Sequence, residues 1–440
     1  MKKMIRFLIA FVALGTMCLG LISQTGPAGA QTPKEYGFVL NEDSNSLSII
    51  EASTGKVLTV HDMNGILNKP HLSDYDRATH RLYVGNKGSN FVVLDMTDPM
   101  APKVVANIKP GGNGEIHRVV LAGGLVWIAH EGDSTVYAYD LNNFSAPTVK
   151  LGKDFGFDTT HGLTLRPGTN ELWASNRPIN GMGTIIRIDV QTRSIVGKPL
   201  LTTGRVGDRP NNTEFTSDGK WAYVVNTGSK TTQVTVVDAE KFEVVKQIEQ
   251  DATVGVAPHA IVYDPVTTRM FIVNKDSPTL SAISTKTNSV LGYFTIGAEP
   301  HGITLGPDGM IYATAKKGNK VVEFDPQRLT VIKEITDPKM IGPHQIIFTA
   351  GFVQPTATAV PAQPTATTPP TAAPVEPSPT PVTVPTQPAP APEIAPASTV
   401  VVAGMPRTGA PSSDAWMLLL SMLLAAGGIM LGFYARKTAR

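Results

Sequence analysis

Residues 210–246, PNNTEFTSDGKWAYVVNTGSKTTQVTVVDAEKFEVVK, decide the fold. The stretch opens on Pro210-Asn211-Asn212 and soon reaches the turn pair Asp218-Gly219, which supplies the positive φ that a tight hairpin needs. An aromatic, β-branched run follows and ends on a polar residue, Tyr223-Val224-Val225-Asn226; a third run ends in Asp, Val236-Val237-Asp238; a fourth is Val-rich, Val244-Val245-Lys246. Strand-forming residues dominate and no 3.6-residue period appears, so the class is all-β.

The same order of runs recurs along the chain. Seven openings can be aligned: Pro70-His71-Leu72, Ile116-His117-Arg118, Thr160-His161-Gly162, Pro210-Asn211-Asn212, Pro258-His259-Ala260, Pro300-His301-Gly302 and Pro343-His344-Gln345. Between the central residues the steps are 46, 44, 50, 48, 42 and 43, the length of a four-stranded propeller blade. Turn pairs such as Gly123-Gly124, Pro167-Gly168 and Asp308-Gly309 fall at the matching place. Residues 36–60 carry the second, third and fourth strands of a blade without a first, and residues 344–350 are a first strand with nothing after it. Joined, they complete a seventh blade and leave no free sheet edge, which predicts a seven-bladed β-propeller with a split closing blade.

Tyr223-Val224-Val225-Asn226, Tyr83-Val84-Gly85-Asn86 and the Pro-His-x-apolar openings resemble the repeat of YVTN-family propellers over about residues 36–352. The resemblance implies the fold and says little of function, because similar propellers include surface proteins, lactonases and relatives of haem- and copper-containing reductases.

The ends of the 440-residue chain imply export and anchoring. Lys2, Lys3 and Arg6 precede an apolar run from Phe7 to Ile22 and a small-x-small site at Ala28-Gly29-Ala30, so residues 1–30 read as a signal peptide cleaved after Ala30. The only cysteine, Cys18, lies in that run behind the bulky Met17, which makes a poor lipoprotein box; the mature protein then has no disulfide and no thiolate ligand. Residues 31–352 form the propeller and residues 353–404 a Pro/Thr-rich disordered stalk, which at about 3.1 Å per residue reaches at most about 150 Å. Its Ser and Thr hydroxyls are candidate sites for O-linked sugars. In residues 405–440, Met405-Pro406-Arg407-Thr408-Gly409 precedes an apolar run over 415–435 and the basic Arg436, Lys437 and Arg440. That trio resembles a sortase sorting signal with Met405 in place of Leu, which implies cleavage after Thr408 and sortase as a partner; the plain alternative is a single transmembrane helix through 415–435 with its C-terminus cytoplasmic. Either way the propeller faces outward.

Charge excludes one partner class. Lys+Arg number 38 against Asp+Glu 36, and no run of like charge occurs, so no nucleic acid is expected.

Six of the seven openings carry histidine: His71, His117, His161, His259, His301 and His344, with Asn211 in the seventh. First strands of propeller blades are innermost, so these side chains converge at the mouth of the central channel. A ring of imidazoles suits copper or zinc, or orients an anionic ligand. The structural alternative is that each His bonds a neighbouring blade's backbone and duplication has copied it. The row Asn41, Asn86, Asn176, Asn226 and Asn274 and the row Asp95, Asp140, Asp189, Asp238 and Asp325 read as turn residues bonding the local backbone. His130, which replaces Asn in its row, and His61 and His80, outside the ring, read as incidental. Asp74, Glu115, Arg118 and Glu214 are the charges nearest the ring in sequence, and Arg205 and Arg209 precede Asn211; their spacing sets none of them apart, and they read as loop residues rather than a hydrolytic site. No serine-nucleophile motif, phosphate loop or His-Glu-x-x-His pattern is present. Three functions follow: a surface-displayed module that binds an extracellular protein or small ligand and is more simply a binder than an enzyme, an extracytoplasmic copper- or zinc-binding redox protein, and a lactonase-like hydrolase.

Mass spectrometry of protein released from its own host's wall should find an N-terminus at Gln31 and a C-terminus at Thr408. Mature protein that retains residues 409–440 would reduce the pentapeptide to part of a membrane anchor.

Overall fold

The computed structural model describes residues 34–178, 181–206, 208–228 and 233–353. The expected signal peptide with Ala30, the expected stalk beyond residue 353, Met405–Gly409 and the expected span over 415–435 lie outside them. No helix among the described residues is long and apolar enough to cross a membrane.

The described residues form seven four-stranded antiparallel sheets. Each opening identified in the sequence begins the innermost strand of its blade: β4 (Pro70–Asp76), β8 (Ile116–Ala122), β12 (Thr160–Leu165), β16 (Pro210–Phe215), β20 (Pro258–Asp264), β24 (Pro300–Leu305) and β28 (Pro343–Phe348). The second strands are β1 (Tyr36–Asn41), β5 (Arg81–Asn86), β9 (Leu125–His130), β13 (Glu171–Asn176), β17 (Trp221–Asn226), β21 (Arg269–Asn274) and β25 (Ile311–Ala315). In the closing blade the strand order is β28, β1, then β2 (Ser46–Glu51) and β3 (Lys56–Asp62), so the first strand comes from the C-terminal end and the rest from the N-terminal end. The register sets Gly37 opposite Phe348, Val39 opposite Ile346 and Leu40 opposite Gln345.

Burial falls outward through each blade. Second strands are almost wholly covered, whereas an outermost strand such as β3 is exposed or half-exposed throughout. The core is divided into seven clusters, each filling the gap between two adjacent sheets. Phe38, Leu40 and Leu47 meet Leu82, Val84 and Val92 on one side of the closing blade. On its other side Val39, Ile346 and Phe348 meet Tyr312, Val321 and Ile335. Turn chemistry matches expectation: Gly123, Gly168, Gly219 and Gly309 all have positive φ. Gly162 and Gly302 serve packing instead, since a Cβ there would lie 2.2 Å from the Asn211 carbonyl and 2.3 Å from that of His344. A small residue after the marker lets neighbouring first strands approach.

A chain ending at Ile341 lacks β28 and leaves β1 an open edge. It also forfeits the burial of Ile346 and Phe348, each worth about 2 kcal/mol. Thermal unfolding of that truncation should be less cooperative and begin lower than that of residues 31–352; equal melting curves would refute closure as a stabilising device.

Candidate metal centre

The seven inner strands deliver all six histidines to one end of the channel, where each is between 0% and 6% exposed. Neighbouring rings touch. Centroids are 4.0 Å apart for His71–His344 and for His117–His161, 4.5 Å for His71–His117 and 4.6 Å for both His259–His301 and His301–His344. Part of the row is a girdle. His71 Nδ1 donates to the His117 carbonyl at 3.1 Å and His259 Nδ1 to that of His301 at 3.2 Å; Asn211 Nδ2 makes the same bond to the His259 carbonyl at 3.0 Å. Asn therefore replaces His in the seventh blade without loss of that link. The remaining four histidines make no such bond, and His161 Nδ1, His301 Nδ1 and both nitrogens of His344 lack hydrogen-bond partners.

A second ring, which the sequence reading missed, lies against the first. In each blade the residue after the second strand donates its backbone N–H to the carbonyl two residues before the marker. These bonds run from Glu42 to Gly342, Lys87 to Lys69, Glu131 to Glu115, Arg177 to Thr159, Thr227 to Arg209, Lys275 to Ala257 and Lys316 to Glu299, all at 2.8–3.1 Å. The side chains at this position run acid, base, acid, base, neutral, base, base around the ring. The signal was present in the sequence, one residue beyond the Asn row.

The two acids each join a pair of histidines, one from their own blade and one from the next. Glu42 gathers His344 and His71, and Glu131 gathers His117 and His161, with one ligand atom from each residue within 4.8 Å of the others. The sets differ in what already occupies the carboxylate. Both Glu131 oxygens accept from Arg177 at 3.1 Å, and one also meets His117 Nε2, which lies 2.9 Å from Glu115 as well. Burial alone would raise the Glu131 pKa, but His117 and Arg177 outweigh it and hold the carboxyl at about 2. Glu42 uses one oxygen, Oε1, for Lys316 at 2.8 Å and Lys87 at 3.1 Å. Its Oε2 has no hydrogen-bond donor and faces His344 Nε2 at 3.4 Å.

Burial, aided by the neighbouring imidazoles and cations, pushes His71, His161, His301 and His344 well below the usual histidine range and His259 to about 3. These rings are neutral at pH 7, the form that ligates metal.

Several expectations are corrected. Asp74, Arg118 and Glu214 are not loop residues: they sit on β4, β8 and β16 and line a cavity in the channel. The asparagines bond third-strand hydroxyls as much as local backbone, as Asn41 does with Ser46 and Ser48 and Asn274 with Thr279 and Ser281. The aspartates cap local turns as expected, Asp238 accepting from the N–H groups of Glu240 and Lys241 and Asp325 from those of Gln327 and Arg328. His130 binds Asp133, His61 the Pro99 carbonyl and His80 the Tyr75 hydroxyl, all away from the ring. Arg209 lies 4.0 Å from Glu131 at the edge of the cluster, and Arg205 is exposed.

No family model and no curated protein matches this chain. Solved structures do. Proteins of Bacteroides fragilis and Bacteroides uniformis, each described as a "putative 6-phosphogluconolactonase", superpose with TM-scores of 0.60 and 0.59 at 14% and 13% identity, covering 72% of this chain and 99% of theirs. Hydrazine synthase of Kuenenia stuttgartiensis gives 0.55 at 16% identity, covering 68% of this chain and 92% of that one. The shared feature is the propeller. At these identities the likeness establishes fold alone.

The buried neutral imidazoles fix a pH dependence. Unfolded chains protonate histidine below about 6.5, so under that pH the unfolded state binds more protons and stability falls by about 1.4 kcal/mol per pH unit for each such ring. Glu214 opposes this: burial raises it to about 7 against the pull of Arg118, so it favours the fold as pH drops from 7 toward 4.5. Five histidines outnumber it. Guanidinium denaturation of chelator-treated protein should show a clear loss of stability from pH 6.5 to 4.5; a flat profile would mean that the rings protonate within the fold.

Proposed function

We propose that the propeller is an outward-facing binding module for one divalent ion of the zinc or copper class, held by Glu42, His71 and His344. The observation that carries this reading is a set of donors already prepared for a metal. The His71 Nδ1–H is committed to the His117 carbonyl, which leaves Nε2 as the lone pair; a ligating histidine characteristically donates its other nitrogen in this way. His344 is buried with both nitrogens free of hydrogen bonds, and Glu42 keeps one oxygen free beside it. Two imidazoles and a carboxylate without thiolate suit Zn²⁺ or Cu²⁺, and three protein donors leave a coordination position open. Metal–ligand distances of about 2.0–2.2 Å require the three donors to draw together by about 1 Å, within the reach of side-chain adjustment. Lys87 and Lys316 then balance the remaining carboxylate oxygen. The Glu131 set is weaker, because Arg177 already holds both of its oxygens.

The signal peptide, stalk and sorting-type C-terminus support a place outside the cell, anchored to wall or membrane. A redox role needs electron transfer beyond ion binding, and a lactonase role rests on the fold likeness alone; turnover of a lactone by purified protein would establish the latter.

Metal analysis of protein exported from its own host, with competition titrations of Zn²⁺ and Cu²⁺, tests the assignment. One tightly held ion per chain is expected, lost in His71→Ala/His344→Ala, kept in His117→Ala/His161→Ala, and weakened only well below pH 6.5, because burial keeps His71 and His344 neutral in the folded protein. Protein that retains no ion after reconstitution would leave the histidines as a structural girdle.

A further inference from the structure

Further along the same inner strands the channel holds a cavity of about 170 Å³, at about 30 Å³ per molecule the space of some five waters or of one organic acid of two to four carbons. Asp74, Arg118, Thr164, Thr213, Glu214 and Thr304 supply polar groups to its wall. Arg118 is the unusual member. Its Nε is buried without a partner, and among the described residues no acceptor bonds its guanidinium and no carboxylate lies within ion-pair reach, so Asp74 and Glu214 act on it only through space. Guanidinium groups cannot shed their charge, and a half-buried one whose Nε is covered leaves its donors to be satisfied by whatever occupies the cavity.

The neighbouring acids are engaged or discharged. Asp74 accepts from the backbone N–H groups of Tyr75 at 2.8 Å and Leu121 at 2.9 Å. Burial raises Glu214 to about 7, so near neutral pH much of it carries a proton it can donate. Thr213 Oγ1 is a further buried group without a partner. Thr164 is already committed to the Thr213 carbonyl. The guanidinium of Arg118 is thus the charged group of the wall that makes no hydrogen bond to the protein, although Asp74 and Glu214 act on it through space.

We infer that this cavity binds a small organic carboxylate, its two oxygens received by the Arg118 fork, with Glu214 and Thr213 completing the hydrogen bonds. Planar bidentate pairing with a carboxylate is the geometry guanidinium favours. The site is separate from the proposed metal centre and does not depend on it.

Calorimetric titration of full-length, chelator-treated protein with acetate, propionate and inorganic phosphate at pH 6 and pH 8 tests the inference. Acetate or propionate should bind one per chain, more tightly at pH 6, and raise the melting temperature. Arg118→Met should weaken binding at least tenfold. Glu214→Gln, which keeps a donor, should bind at both pH values and abolish the difference between them, and it serves as the readout if the arginine variant does not fold. His71→Ala/His344→Ala should bind carboxylate as the parent does, which separates this site from the metal. Absence of saturable binding, binding unchanged in the folded Arg118 variant, or preference for phosphate over both carboxylates would overturn the assignment.

Discussion

The pairing of β1 with β28 is the interaction on which the rest of the molecule depends. It joins strands some 300 residues apart in one sheet and removes the two edges that an open array would expose. It also builds the candidate site. Glu42 follows β1 and His344 lies on β28, so the carboxylate and the imidazole that face each other at 3.4 Å come from opposite ends of the domain. Gln345 extends the same seam into the next blade, its Oε1 accepting from the Ser73 N–H and hydroxyl and its Nε2 donating to the Ser73 carbonyl.

Repetition explains why the cluster exists, and departures from repetition explain why it has chemistry. A marker side chain that bonds the next blade's carbonyl links three of the seven blades to their neighbours, and Asn211 shows that the requirement there is a donor rather than an imidazole. The ring behind it is different. A perfect repeat would place seven like charges around one axis; two acids among four bases instead give Glu42 and Glu131 their cationic neighbours and create two pairs of closely spaced imidazoles. Both sets keep unbonded imidazole nitrogens, but of the two carboxylates only Glu42 keeps an oxygen without a donor.

The fold was legible because hydrophobic runs, turn glycines and markers recur often enough that each blade corroborates the others. The histidine row was legible for the same reason. Glu42 and Glu131 were not, because they interrupt a row that is mostly basic, and a row with mixed charge carries no pattern until its position is known. Asp74, Arg118 and Glu214 were misread for a geometric reason. The pairing of β4, β8 and β16 with their partners shifts register just after the marker, between Pro70 and Ser73, Ile116 and Arg118, and Pro210 and Thr213. An irregularity of one residue exchanges the faces of a strand, so alternation counted from the histidine cannot tell which later residues enter the channel.

Closure and ligation are thermodynamically one event in the proposed reading. Glu42 and His344 are brought together only when β28 pairs with β1, so an ion bound through both recognises the closed ring and not a chain whose last strand has detached. By mass action such an ion stabilises closure by about 2.7 kcal/mol at a hundredfold excess over its dissociation constant. The opposing term is already present in the metal-free protein, where unbonded polar atoms of His344 and Glu42 lie buried in the seam. Placing the donors at the seam thus puts the weakest-satisfied polar groups of the cluster where a ligand contributes most to holding the propeller shut. A site confined to one continuous blade would give the ion no such hold on the ring.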